Sequence, residues 1–323
     1  MIADLHLDLL LDAVRRRAAG ERDVFRRRHL PALAAAGVRV QVLPMFVPDE
    51  LVPDGALRYT LQQIDAARRE QEESGGALRI VESAAELHAV LAQHGTVAGI
   101  LALEGAEALG RDPGLIASLR RLGVRMASLT WNRANEFADG LAEDRGIGLT
   151  PLGRRLLAEM EQQGVALDLS HLTPRGCRAA LDCFGSPVLA SHANARAVHD
   201  NPRNLDDELL AAIGERDGVV GLCAVPAFVG SGPFAVRLAA HHRHVAERAG
   251  PGAAAFGADF CDYLGDDIGL PLLPDEPSPE DLELARRPEP PRETFYADVL
   301  AAVGGSEGLG AGNALRFLER VLA

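Results

Sequence analysis

Eight short apolar runs, separated by stretches of helical periodicity, constrain the fold of this chain more than any other feature. The runs lie near 3–8, 38–45, 97–103, 124–130, 165–169, 187–191, 218–223 and 254–258. Between them, 55–73, 84–94, 113–122, 151–163, 174–183, 206–214 and 234–249 space their apolar residues three or four apart, as one face of a helix requires. Thr150-Pro151 and Thr173-Pro174 each read as an N-cap with proline at the first helical position. Buried strands alternating with amphipathic helices predict a parallel sheet covered by helices. A count of eight favours a closed (β/α)8 barrel, the TIM-barrel form, with a doubly wound open sheet as the alternative. No Gly-x-Gly-x-x-Gly follows a strand, so nothing supports a dinucleotide-binding version of that sheet.

The 323 residues are expected to form a single barrel domain ending in C-terminal helices. The segment at about 260–292, with Leu270-Pro271-Leu272-Leu273-Pro274 and Pro288-Glu289-Pro290-Pro291, reads as a long Pro-rich irregular loop. A cover over the site or an oligomer contact is the expectation for it. A second long connection, 131–150, is polar and follows a strand, where a barrel keeps its active-site loops.

All 33 basic residues are arginine. The absence of lysine removes Schiff-base chemistry, a P-loop phosphate site and any pair of metals bridged by a carbamylated lysine. A net charge of −13 argues against nucleic acid or an anionic membrane surface as partner. No apolar stretch is long enough to span a bilayer, and no basic-then-apolar leader opens the chain. Four cysteines without CxxC spacing read as reduced thiols of a cytoplasmic protein.

The chemistry-bearing residues collect at the C-terminal ends of the expected strands, the face on which barrel enzymes assemble their sites. His6 and Asp8 end the first, two apart and so on one side of an extended strand. Alone the pair is weak: with ten His and 46 acidic residues, roughly one His-x-acid match arises by chance. Glu104 follows the third run, His171 the fifth, His192 the sixth and Asp259 the eighth. Three histidines and three carboxylates suit two borderline divalent ions, most simply zinc, provided that one carboxylate bridges. Glu104 is the natural bridge. Two ions about 4 Å apart hold a bridging hydroxide at neutral pH and polarise a carbonyl, which is amide or ester hydrolase chemistry.

This ordered set resembles the renal, or membrane, dipeptidase family of metallopeptidases (peptidase family M19). The carrying stretches are Asp4-Leu5-His6-Leu7-Asp8, Leu103-Glu104-Gly105, Leu129-Thr130-Trp131-Asn132-Arg133-Ala134-Asn135, Gly148-Leu149-Thr150-Pro151-Leu152-Gly153-Arg154 and Glu159-Met160. They continue with Asp168-Leu169-Ser170-His171, Ser191-His192, Arg203-Asn204-Leu205-Asp206-Asp207, Gly257-Ala258-Asp259-Phe260 and Gly312-Asn313-Ala314-Leu315-Arg316. The resemblance implies a zinc-dependent dipeptidase, usually a homodimer, commonly tolerating a D-residue on the C-terminal side. It further implies that His6 and Asp8 hold one zinc and His171 and His192 the other, with Glu104 between them. Asp259 would handle the proton passing to the leaving amine, and Arg203 would pair with the substrate carboxylate.

Two departures stand out. Trp131 occupies the place of a substrate-contacting histidine, in a Leu-Thr-Trp-Asn form that resembles a bacterial branch of the family. The usual Asp-Phe-Asp-Gly reads Asp259-Phe260-Cys261-Asp262. Both leave hydrolysis of another small amide, ester or lactam as an alternative, and an inactive scaffold as a more distant one. A phosphoesterase or nuclease barrel is disfavoured because such chains usually open with His-x-His. His241-His242-Arg243-His244 looks like a metal box but falls within a helical stretch, so a helix role is expected. Asp168 is expected either to orient an imidazole or to serve another buried hydrogen-bond role. Arg26-Arg27-Arg28-His29 reads as a solvated face.

Overall fold

A computed structural model describes residues 1–264, 272–274 and 277–323. Among the described residues nine strands run in chain order: β1 Ile2–Asp4, β2 Val38–Phe46, β3 Leu78–Ile80, β4 Val97–Glu104, β5 Val124–Ser128, β6 Ala166–Asp168, β7 Val188–Ala190, β8 Val219–Leu222 and β9 Ala254–Phe256. Every pairing between them is parallel. Eight of them close on themselves in the order β1, β2, β4, β5, β6, β7, β8, β9, with β9 returning to β1. This is the expected (β/α)8 barrel. The ninth strand, β3, was not expected. It pairs with Val97–Gly99 of β4, while β5 takes up the same edge only from Leu101 onward.

Alternation along each strand separates two cores. Ala98, Ile100 and Ala102 of β4 join Val40 and Val42 of β2, Ala3, Met126, Ala166 and Ala255 in the barrel interior. Val97, Leu101 and Leu103 face outward to a larger cluster shared with the surrounding helices. All eight residues of β4 are buried, as in a parallel sheet covered on both faces. Glu104 therefore continues the inward row 98, 100, 102 at the strand's C-terminal end. Phe317, Leu318 and Val321 of the helix Asn313–Val321 complete the interior cluster at the N-terminal end. There Asn313 Nδ2 donates to the Ala254 carbonyl, 2.8 Å away.

Several expected boundaries shift. The first strand stops at Asp4, so His6 and Asp8 lie beyond it and not side by side upon it. The helix Leu9–Ala18, which the alternating pattern concealed, begins directly after Asp8. Within the segment expected as an irregular loop, Pro279–Leu284 is helical, opened by a reciprocal capping pair between Ser278 and Asp281. Residues 265–271 and 275–276 of that segment lie outside the described residues. Thr150 and Thr173 cap their helices as expected, accepting from the Gly153 and Gly176 N–H groups at 3.0 and 3.1 Å. Among the described residues no helix is long and apolar enough to cross a membrane.

The 131–150 connection is held by side chains in place of regular structure. Asp139 Oδ2 accepts from the N–H groups of Ile147 and Gly148, each at 2.7 Å, and its Oδ1 accepts from Arg145 Nε at 2.7 Å. The Ala142 N–H donates to the Asn132 carbonyl at 2.8 Å, tying Asn132 into the same connection.

Candidate metal centre

Two aspartates shape the strand ends that present the histidines. Asp4 Oδ1 accepts from the His6 N–H at 2.9 Å, and its Oδ2 accepts from the Ala258 N–H at 3.0 Å, tying the end of β1 to the end of β9. Asp168 repeats the device between β6 and β7. Its Oδ1 accepts from the Ser170 N–H at 3.0 Å and the Ser191 N–H at 2.9 Å. Of the two roles expected for Asp168, the structure shows this backbone one. The role of Asp4 was missed, although the Asp-Leu-x repetition in Asp4-Leu5-His6 and Asp168-Leu169-Ser170 was a signal for it. His171 and Asp259 both adopt left-handed backbone, at φ 69° and 57°. Such a conformation costs a non-glycine residue about 1–2 kcal/mol, and here it turns each side chain in over the barrel axis.

These elements bring together all six residues expected at the site. Glu104 Oε1 lies 2.9 Å from His171 Nε2, 3.6 Å from His192 Nε2 and 3.6 Å from His6 Nε2. On its other side His6 Nε2 is 3.7 Å from Asp8 Oδ2 and 3.8 Å from Asp259 Oδ1. Donor atoms about 2 Å from an ion lie within about 4 Å of each other, so these separations fit metal ligation. His6 with Glu104 and His192, and His6 with Asp8 and Asp259, each converge within 4.8 Å.

Three further observations test that fit. His6 Nε2 and Asp8 Oδ1 are buried with no hydrogen-bond partner, a costly state for polar atoms unless a cation fills the space between them. His171 Nδ1 contacts Asn132 Oδ1 at 2.9 Å, and His192 Nδ1 contacts Ser191 Oγ at 2.8 Å. With the proton on each Nδ1, the two Nε2 lone pairs face one another across 2.8 Å, an arrangement that a cation relieves.

The protonation pattern points the same way. Burial and the charges of Arg203 and His6 hold His171 well below the usual histidine range, and burial holds His192 there also. At His6 burial opposes the charged form, but the carboxylates of Glu104, Asp8 and Asp259 outweigh it and carry the imidazole up to about 10. Burial, then the charge of Asp8, pushes Glu104 well above the carboxylate range. Burial and Asp8, opposed by His6, lift Asp259 to about 6. Carboxyls raised in this way beside Asp8 mark acidic groups crowded together in a buried site, a crowding that a bound cation relieves.

Arg203 and Trp131 frame this centre. Buried Arg203 places Nη2 3.3 Å from His171 Nε2, donates to the His192 carbonyl at 3.3 Å and lies 5.4 Å above the Phe228 ring. Asp206 and Asp207, close to it in the sequence, pair with Arg178 and with His244 and Arg248 instead. Trp131 stands 6.1 Å from the His171 ring and 4.7 Å from the Phe46 ring. It walls a cavity of about 450 Å³ that Val47, Asp49, Glu50, Glu107 and Asn135 also line. Sequence reasoning missed the thiols around Asp259: Cys223 and Cys261 each place Sγ 3.8 Å from one of its carboxylate oxygens. Burial raises both thiols well above their ordinary range, so they stay protonated donors.

The other histidine cluster does not join the site. His241 lies in the helix Phe234–Ala249, where Nδ1 accepts from the Ala195 N–H at 3.1 Å and Nε2 donates to the Val229 carbonyl at 3.0 Å. Burial lowers it from 6.5 to about 4. The unfolded chain therefore binds this proton more readily than the fold, and the stabilising contribution is fully present above pH 6.5. It is lost as the pH falls from 6.5 toward 4, by about 2 kcal/mol between pH 7 and 5. Urea midpoints measured across that interval are expected to fall less steeply in a His241→Gln variant than in the parent. Of the arginine run, Arg26, Arg27 and Arg28 are exposed as expected, but His29 is buried with Nε2 2.9 Å from Asp12 Oδ2.

The family model for membrane dipeptidase (peptidase family M19) matches residues 1–271. An uncharacterised dipeptidase of Schizosaccharomyces pombe is 34% identical over 181 residues, 55% of this chain and 44% of that protein. Dipeptidase aclJ of Aspergillus oryzae is 32% identical over 211 residues, 63% of this chain and 50% of that protein. This chain thus spans about half the length of those curated relatives. Among solved structures, the dipeptidase AC, a metallopeptidase of family M19, superposes with a TM-score of 0.82 at 27% identity, covering 99% of this chain and 98% of that one. A metallopeptidase from Rhodobacter sphaeroides, liganded with a phosphinate mimic of the dipeptide L-Ala-D-Ala, superposes with a TM-score of 0.81 at 26% identity, covering 99% of both.

Proposed function

The chain belongs to the membrane dipeptidase family, peptidase family M19, and from that premise we propose that it is a zinc-dependent dipeptidase. The observation that carries the reading is the convergence of three imidazole Nε2 atoms on Glu104 Oε1, with Asp8 and Asp259 beside His6. His6 and Asp8 would hold one zinc, His171 and His192 the other, and Glu104 both. Bound there, the ions supply a nucleophile from water at neutral pH and polarise the scissile carbonyl. Asp259, lifted to about 6, is suited to receive a proton and deliver it to the departing amine. Arg203 offers a planar guanidinium to the substrate's terminal carboxylate. Trp131 forms the wall between the centre and a cavity large enough for a substrate side chain. The ligand of the Rhodobacter sphaeroides neighbour supports a dipeptide with a D-residue on its C-terminal side. A homodimer is part of the reading, as is a cytoplasmic location, which four unpaired cysteines support.

A panel of dipeptides with L-L and L-D stereochemistry, incubated with zinc-loaded protein, tests the proposal. Free amino acids are expected from at least one pair, and Arg203→Ala is expected to raise KM for it by tenfold or more, for loss of a charged hydrogen bond of about 1.5–3 kcal/mol. Release from no dipeptide would sink the reading. Turnover of an ester or lactam by the same preparation would then favour the second reading, which Trp131 and the altered Phe260-Cys261-Asp262 loop motivate.

A further inference from the structure

Ser191 contributes no ligand atom, yet its hydroxyl touches an imidazole from each half of the centre. Oγ lies 2.8 Å from His192 Nδ1, 3.4 Å from His6 Nδ1 and 3.4 Å from Ser170 Oγ. The two rings it joins are stacked, with centroids 3.8 Å apart. The residue is also held firmly. Its N–H donates to Asp168, and its carbonyl oxygen is wedged against β8 and the residue after β9, where a Cβ on Gly221 or Gly257 would stand only 1.9 or 1.7 Å from it.

A hydroxyl has one proton to donate and two lone pairs to accept with. For His6 and His192 both to offer Nε2 lone pairs to cations, each must carry its proton on Nδ1. Both Nδ1–H groups then donate to Ser191 Oγ and fill its lone pairs, and its own proton has Ser170 Oγ to go to. Ser170 Oγ in turn accepts from the His192 N–H at 3.3 Å, so that end of the network is fixed to backbone. If the Ser191 proton turned toward His6 instead, His6 would be left with its proton on Nε2, the atom facing Glu104. One rotor therefore sets two tautomers.

We infer that Ser191 is a positioning residue whose hydroxyl, accepting from both Nδ1–H groups, holds His6 and His192 in their ligating tautomers, one in each half of the centre. Asn132 does the equivalent for His171 alone. The inference rests on reading the site as a binuclear zinc centre and does not require dipeptidase activity.

The test is zinc binding to metal-stripped full-length protein, followed by competition with a chromophoric chelator. The parent is expected to take up two zinc ions per chain. Ser191→Ala is expected to bind both about 10–100-fold more weakly, the usual loss when a hydrogen bond behind a metal ligand is removed. Ser191→Thr, which keeps the hydroxyl, is expected to restore both affinities. Asn132→Ala is expected to weaken one of the two ions only. Ser170→Ala leaves Ser191 in place and removes the acceptor of its proton; it is expected to weaken zinc in the same direction as Ser191→Ala, and it decides the matter if the latter does not fold. Parent-like affinity for both ions in the folded Ser191→Ala and Ser170→Ala variants would overturn the inference. A parent that takes up no zinc would instead overturn the reading of the site beneath it.

Discussion

Glu104→Gln is expected to reduce zinc to one ion per chain or fewer and to lower dipeptide turnover by at least about 10³-fold. One oxygen, Oε1, is within 3.6 Å of three imidazole nitrogens, so the substitution alters the single atom common to both halves. An amide oxygen carries no charge, and an amide nitrogen in its place would direct two protons at lone pairs that should face a cation. Losing several kcal/mol of Lewis-acid stabilisation corresponds to a factor of this size. No lysine exists in the chain to substitute as a bridge, and Asp8 approaches His6 from the far side. Glu104→Asp should fall between the two, keeping the charge but withdrawing it by one methylene. Metal content by atomic emission, measured beside kcat on the same preparation, checks the prediction. Two tightly held zinc ions in Glu104→Gln would show that the bridge is not needed.

How much of this was legible beforehand depends on the range over which each signal acts. The eight barrel strands announced themselves because a strand buried on both faces must be apolar throughout, as Val97–Glu104 is up to its final residue. β3 escaped notice because it is three residues long, Leu78-Arg79-Ile80, and covers only the lower part of one edge of β4. The alternation from Leu5 to Leu9 imitated a longer first strand, but the Asp4 carboxylate takes the His6 N–H at 2.9 Å. The chain then turns into the helix Leu9–Ala18. The candidate site residues and their order could be read because each follows a recognisable strand. The contacts that set their protonation could not. Asn132 meets His171 across 39 positions, and Ser191 meets His6 across 185, separations at which local spacing carries no information. Nor does any pattern in Ser170-His171 or Ala258-Asp259 foretell a left-handed backbone, which the surrounding packing imposes.

Asp259→Asn is the second large effect, and it should differ in kind from Glu104→Gln. Turnover is expected to fall about 10²–10⁴-fold, the range for removing a general acid–base group, while both zinc ions stay bound. The carboxylate is placed for proton handling: Oδ1 stands 3.8 Å from His6 Nε2, and a thiol approaches each oxygen at 3.8 Å. Protonated Cys223 and Cys261 can donate to Asp259 but cannot neutralise it, so its charge varies with its own proton alone. Asparagine matches the size of aspartate and keeps one of the two thiol contacts through its single oxygen, but it takes up no proton at the pH of the reaction. Substrates whose leaving group departs without protonation separate the roles. An activated ester with a phenolate leaving group should lose far less rate in Asp259→Asn than a dipeptide does, because only the amine requires the delivered proton. Equal losses on both substrates, with zinc reduced below two ions per chain, would place Asp259 among the ligands beside His6 and Asp8, the grouping in which their donor atoms lie within 4.8 Å of one another.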